Sequence, residues 1–149
     1  MSVGLLSIIA VFALSASPIG EILIAIAFGV VVLGMDPALA FLAAYPGNLI
    51  PIIVILPLLG YLGKRFPRFF NYMTRRSGRF GKRLGGKYGW AFLFLIVLFA
   101  GAYGASTVSG LLGVDKKRSF LVQSVALAFY GAVEVIALYF GIGVISSLP

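Results

Sequence analysis

The sequence predicts an all-α integral membrane fold made of two inverted repeats, each a re-entrant helical hairpin followed by a spanning helix. Three observations predict it. The chain of 149 residues is 61% hydrophobic and 11% charged, with a mean hydropathy of +1.10, far from the balance of a soluble domain. Its apolar runs fall into short ones and long ones, measured against the roughly 20 helical residues that cross a bilayer core. A short motif also recurs 79 positions on (33 to 112) with the charge beside it changed.

The first apolar run covers Val3 to Leu14, pauses at Ser15-Ala-Ser-Pro-Ile-Gly-Glu21 and resumes from Ile22 to Leu33. Each arm reaches only about 18 Å at 1.5 Å per residue, so neither spans alone and a hairpin with its tip near the bilayer midplane is expected. Irregular backbone at that depth needs cover from protein or a wet cavity. The tip is therefore expected to be buried or functional. No basic residue precedes this run and no small-residue cleavage site follows it, so residue 1 is expected to stay in the mature protein.

Pro37 to Leu62 is long enough to cross, although Pro46-Gly47, Pro51 and Pro57 remove hydrogen bonds from its ladder, and a broken spanning helix is expected. From Lys64 to Lys87, Phe66, Phe69, Phe70 and Met73 fall at helical spacing opposite Arg65, Arg68, Arg75 and Arg76. An interfacial helix follows from that pattern, its arginines meeting lipid headgroups, before a glycine-rich basic loop. Tyr88 and Trp90 mark the return to headgroup level.

Tyr88 to Val114 could cross once. That would put Lys116-Lys117-Arg118 opposite the nine-charge loop, against the positive-inside rule. A turn at Gly101-Ala-Tyr-Gly104 makes a second re-entrant pair and leaves both basic clusters cytoplasmic. Ser119 to Leu148 is then the last span, and both termini lie outside a multi-pass protein of the cell membrane. The domain plan is one membrane domain over 1–149, with a first repeat at 1–63, a basic linker at 64–87 and a second repeat at 88–149.

The recurring motif supports the same plan. Leu33-Gly-Met-Asp36 with Phe41-Leu42 returns as Leu112-Gly-Val-Asp115 with Phe120-Leu121, and Pro37-Ala-Leu39 in the first copy stands where the second has Lys116-Lys-Arg118. Such a charge difference is what copies in opposite orientations require. With two full spans per chain, a homodimer is expected to enclose a pathway.

Composition also excludes chemistry. Without Cys or His there are no disulfides and no thiolate or imidazole ligands, so neither an enzyme, a metal site nor a cofactor is expected. The net charge of +8 comes from basic residues flanking apolar runs, which argues for membrane lipid as partner rather than nucleic acid.

Gly47-Asn48-Leu49-Ile50-Pro51, Lys87-Tyr-Gly89 and Leu112-Gly-Val-Asp-Lys-Lys-Arg118 carry a resemblance. With Glu21 opening a helix and the Leu-Gly-x-Asp start of the first span, the chain resembles the small multidrug export proteins, distant relatives of the DedA-type membrane proteins. Leu23 stands where that pattern has an Arg, and Phe99-Ala-Gly-Ala-Tyr-Gly104 where it has a Pro-x-Pro-Gly tip. The resemblance implies export of small molecules. Its DedA side implies movement of lipid or isoprenoid phosphates between leaflets.

Among the four acidic residues, Glu21 at the first tip and Glu134 in the last span sit where an ionised carboxylate costs several kcal/mol unless paired or wet. They are candidates for carrying a proton or cation. Asn48 beside Gly47 offers an amide to a substrate or cation, or a cap to broken helix. Tyr103, Ser106 and Thr107 supply hydroxyls at the second tip, with back-bonding to their own helix the alternative for the last two. Asp36 and Asp115 are expected to cap the helices that follow them.

The sequence thus reads as a secondary transporter, proton- or cation-coupled, exporting small molecules such as lipophilic cations. A lipid flippase or scramblase and a non-transporting membrane adaptor are the alternatives. Single cysteines at Ser2, Asp36, Thr74, Ser119 and Ser147 are predicted to react with an impermeant maleimide from outside at the first, second and last, and from the cytoplasm at the other two. Thr74 and Ser119 on opposite sides would rule out the second hairpin.

Overall fold

The computed structural model of the chain describes residues 4–72, 75 and 89–146, with side chains to 141. All regular structure among the described residues is helical: α1 (Leu5–Ser15), α2 (Ile22–Val31), α3 (Pro37–Arg65), α4 (Gly89–Leu111) and α5 (Lys116–Ser146), with a further helical turn over 67–72. Three helical stretches, Pro37–Arg65, Gly89–Leu111 and Lys116–Gly141, are long and apolar enough to cross a membrane. The chain divides into two compact units, residues 1–49 with 127–149, and residues 50–126.

In the first unit α1 and α2 pack against each other as a hairpin. At 11 and 10 residues they reach about 16 and 15 Å, short of a bilayer core. The connection is closed on itself. Ser17 Oγ donates to Leu14 O at 2.7 Å and accepts from Gly20 N at 3.1 Å, and Ala16 N bonds Phe12 O at 3.0 Å. These bonds satisfy backbone groups that a turn leaves without helical partners. Ser15 and Gly20 are buried at the tip while Pro18 and Ile19 are exposed, so the expected cover is partial.

Gly34 takes φ +64 and hands the chain to α3, where Asp36 Oδ1 accepts from Ala38 N at 2.9 Å and Leu39 N at 3.3 Å. In the second unit Gly113 takes φ +68, Val114 N returns to Ser109 O at 3.0 Å, and Asp115 Oδ1 accepts from Arg118 N at 2.8 Å. Each is a left-handed glycine followed by an acidic N-cap, as the sequence leads one to expect of Asp36 and Asp115. Burial follows the same spacing. Ala40, Ala44, Gly47, Asn48 and Ile52 are buried in α3, and Ser119, Gln123, Ala126, Leu127 and Gly131 in α5, while Leu42, Ile50 and Val54 and their counterparts Leu121, Phe129 and Val133 are exposed.

Three boundaries differ from expectation. α3 runs as one helix through Pro46, Pro51 and Pro57 and on to Arg65, not as a broken span ending at Leu62. Neighbouring helices in an apolar setting let a helix keep its course where proline removes a bond. α5 begins at Lys116, because Asp115 is its cap, and so takes three cations into its first turn. In α4 the backbone leaves the helical region at Gly101 alone (φ 58, ψ −169), a conformation essentially confined to glycine, and Ala102 to Gly104 are already helical. The break is one residue long rather than four. The glycine-rich loop of 76–88 lies outside the described residues.

The exposed surface is apolar over much of the chain, with Leu6, Phe99 and Phe140 at 82%, 85% and 73%. Water would not tolerate so many large apolar side chains, whereas lipid does. Together with the three long apolar helices, this makes the chain a multi-pass α-helical membrane protein.

Asp36 is also tied to α5, because Tyr139 Oη donates to its Oδ2 at 2.7 Å. That bond, assisted by the N–H groups of Leu39 and Ala38, holds the carboxyl below its ordinary range. A carboxyl with a lowered native pKa stabilises the fold fully above the ordinary carboxylate range, and the contribution disappears as pH falls through the lowered value. Asp36→Asn and Tyr139→Phe are predicted to lower the unfolding temperature in mild detergent at pH 7. Both should flatten its fall below about pH 4; an unchanged acid limb would show that the bond contributes nothing.

Candidate functional site

The hairpin tip of the first unit brings Gly47 and Asn48 to the end of α1, with Glu21 at the start of α2. α1 ends at Ser15, which is fully buried, so its last carbonyls have no water to turn to. Asn48 of α3 answers this. Its Nδ2 donates to Ser15 O at 2.9 Å and to Ser15 Oγ at 3.1 Å, while Ser15 Oγ donates to Ala44 O at 2.7 Å. The approach depends on Gly47, where a Cβ would collide with Phe12 O and stand 3.2 Å from Ser15 Cβ. Asn48 therefore caps α1 across a helix interface, so both readings of it meet in one residue: its amide nitrogen is committed to structure. Its Oδ1 is buried and has no hydrogen-bond partner among the described residues.

Glu21 is the N-cap residue of α2, half-buried. Its backbone oxygen accepts from Ala25 N at 3.0 Å and its carboxylate makes no capping bond. Glu134 is half-buried on α5, and its Oε2 is enclosed without a hydrogen-bond partner among the described residues. One close contact relates the two elements. A Cβ on Gly131 would meet the Phe41 ring at 2.5 Å and Ile22 Cδ1 at 3.3 Å. Glu21 is the residue before Ile22, and Glu134 follows Gly131 by three residues, on the same side of the helix. Both carboxylates thus flank one bare helix-to-helix contact in the unit that holds Asn48.

Tyr103, Ser106 and Thr107 belong to the second unit. Thr107 Oγ1 bonds back to Tyr103 O at 2.8 Å and is exposed, which is the helix back-bonding expected as its alternative. Ser106 instead reaches across to α5, donating to Gln123 Oε1 at 2.8 Å, with both residues fully buried. Gln123 Nε2, Ser109 Oγ and Ser119 Oγ are buried without hydrogen-bond partners among the described residues. Ser15, Gln123, Ser109 and Ser119 escaped the sequence reading. The one usable signal was a Gln inside an apolar span, where uncharged polar side chains join helices by hydrogen bonds. Arg65, Arg68 and Arg75 are exposed, and Arg76 lies outside the described residues.

Gly47→Ala is predicted to cost about 1–3 kcal/mol because the new methyl meets backbone, which cannot swing aside. Gly141→Ala, in the same residue type with open space around it, should stabilise α5 by up to about 1 kcal/mol. Thermal unfolding of both variants in one detergent checks the pair; equal effects would mean that Gly47 is not a tight contact.

Comparison with known proteins adds the family. No curated protein and no solved structure matches the chain. The model of the family described as "Putative small multi-drug export protein" matches residues 21–133, from the first carboxylate to the residue before the second. That stretch is well over half of the sequence and includes Asn48, both acidic caps and the Ser106–Gln123 pair, and the chain belongs to the small multi-drug export protein family.

Proposed function

We propose that the chain is a secondary transporter in which Glu21 and Glu134 carry a proton or cation, coupling it to export of small molecules, lipophilic cations among them. The observation that carries this reading is the enclosed, unpartnered Oε2 of Glu134, on an element packed against the start of α2 beside Glu21. A carboxylate with an open valence in an apolar setting is costly as structure and useful as a transient site. Asn48 Oδ1 adds a second open acceptor in the same unit.

The plan we propose around it is two hairpin-plus-span repeats of opposite orientation. Three features support it: the paired left-handed glycines and acidic caps, the matched burial of α3 and α5, and the helix break at Gly101 where a second tip is needed. The basic residues near 64–87 and 116–118 then share the cytoplasm, with Arg65, Arg68, Arg75 and Arg76 at the headgroups. Two copies complete the pathway.

Proteoliposomes loaded with a pH-sensitive dye and given a panel of lipophilic cations test the coupling. Native protein is predicted to show substrate-dependent proton flux, and Glu21→Gln or Glu134→Gln to lose at least tenfold of it. Full flux in both variants would end the role of the carboxylates. No flux from native protein, with intact leaflet exchange of a labelled isoprenoid phosphate, would instead make it a flippase.

A further inference from the structure

The second unit carries a groove of about 440 Å³ that the transport reading does not use. Its walls include Ile53 and Leu56 of α3 and Phe120 and Leu121 of α5, and it is also lined by Lys116 and Lys117. A Cβ on Gly60 would collide with Lys116 Nζ, so this lysine lies against α3 one turn beyond Leu56, with the apolar walls of Ile53, Leu56, Phe120 and Leu121 beside it. A charged end and an apolar body form one continuous site.

Among the described residues, the lining of the groove holds two lysines and no carboxylate. Lys116 and Lys117 occupy the first turn of α5, at the positive end of the helix dipole, where cations are disfavoured. A neighbouring cavity of about 490 Å³ shares Leu56 and both lysines and contributes Asp115, the one carboxylate lining either space. Asp115 Oδ1 accepts from Arg118 N, and the two lysines outnumber this one carboxylate. Lys116 and Lys117 are themselves exposed. An anion is therefore wanted at the lysine end, and a long apolar chain in the remainder.

We propose that this groove holds one anionic phospholipid, with its phosphate on Lys116 and Lys117 and an acyl chain laid along Ile53, Leu56, Phe120 and Leu121. A soluble phosphate would satisfy the lysines and leave the walls empty. A zwitterionic lipid would fill the walls but bring a cation to the lysines. The site is separate from the carboxylates of the first unit, and binding there is measurable whether or not transport is.

Native mass spectrometry of the purified protein, exchanged into matched mixtures of phosphatidylglycerol and phosphatidylcholine with identical chains, reads the site directly. Native protein should retain phosphatidylglycerol about tenfold over phosphatidylcholine, equivalent to about 1.4 kcal/mol. Lys116→Gln/Lys117→Gln should reduce that preference to near unity. Leu121→Trp, at a position 62% exposed and so tolerant of size, should lower retention of both lipids by filling the groove. Glycerol phosphate without chains should compete poorly. Undiminished preference in the lysine variant, undiminished retention in Leu121→Trp, full competition by glycerol phosphate, or loss of preference on Arg75→Gln instead would each overturn the assignment. Unfolding temperature in phosphatidylcholine alone confirms that each variant is folded.

Discussion

A helix that ends at a buried residue must find partners for its last carbonyls inside the protein, and much of the first unit is arranged by that demand. α1 stops at Ser15, and Asn48 supplies the donor across the interface. For the amide to reach, α3 must come close enough that position 47 has no room for a side chain. Close approach in turn fixes α3 against the end of α1, which sets the hairpin tip and with it Glu21. The same economy operates at Gly131, where a bare helix surface admits Ile22 and Phe41 and leaves Glu134 one turn away. Small residues serve here as contact points because apolar helices in lipid gain little from burying more apolar surface, and gain instead from close contact and hydrogen bonds.

Much of this was legible from sequence where the signal is local. Asp36 and Asp115 read as caps because a short acceptor before a helical run needs only its own neighbours to form the bond. The short and long apolar runs translate directly into short and long helices. What failed was local too, but overridden: three prolines suggested a broken α3, and the helix stays whole because loss of one bond per proline is absorbed by the surroundings. The glycines at 101 and 104 signal a break in α4, and the break is confined to Gly101, whose conformation is closed to other residues. Ser15 and Gln123 were missed because a single polar residue in an apolar run has no periodicity; only the facing helix reveals why it is there.

The agreement between α3 and α5 runs deeper than residue identity. Asn48 and Leu127 share nothing chemically, nor do Ala44 and Gln123, yet each pair occupies the same buried rung at the same spacing. Burial is imposed by helix geometry and by what lies alongside, whereas identity is imposed only where backbone or charge demands it. This is why the recognisable motif is confined to Leu-Gly-x-Asp, with its left-handed glycine and capping carboxylate, and to a few residues after it. Polar residues then enter the buried rungs differently in each unit: Asn48 with Ser15 in one, Gln123 with Ser106 in the other.

The first unit is discontinuous, joining residues 1–49 to 127–149, and the Tyr139–Asp36 bond closes a loop of 103 positions. Residues 50–126 form a continuous unit. On a ribosome the order of completion is therefore the reverse of the order of synthesis. The hairpin of α1 and α2 emerges first and must wait, with Ile22 and Phe41 uncovered, until Gly131 arrives, while the second unit already has all its residues. During that interval the early hairpin is the part of the nascent chain most exposed to premature partners, and whatever inserts this protein has to shelter the beginning until the end is made.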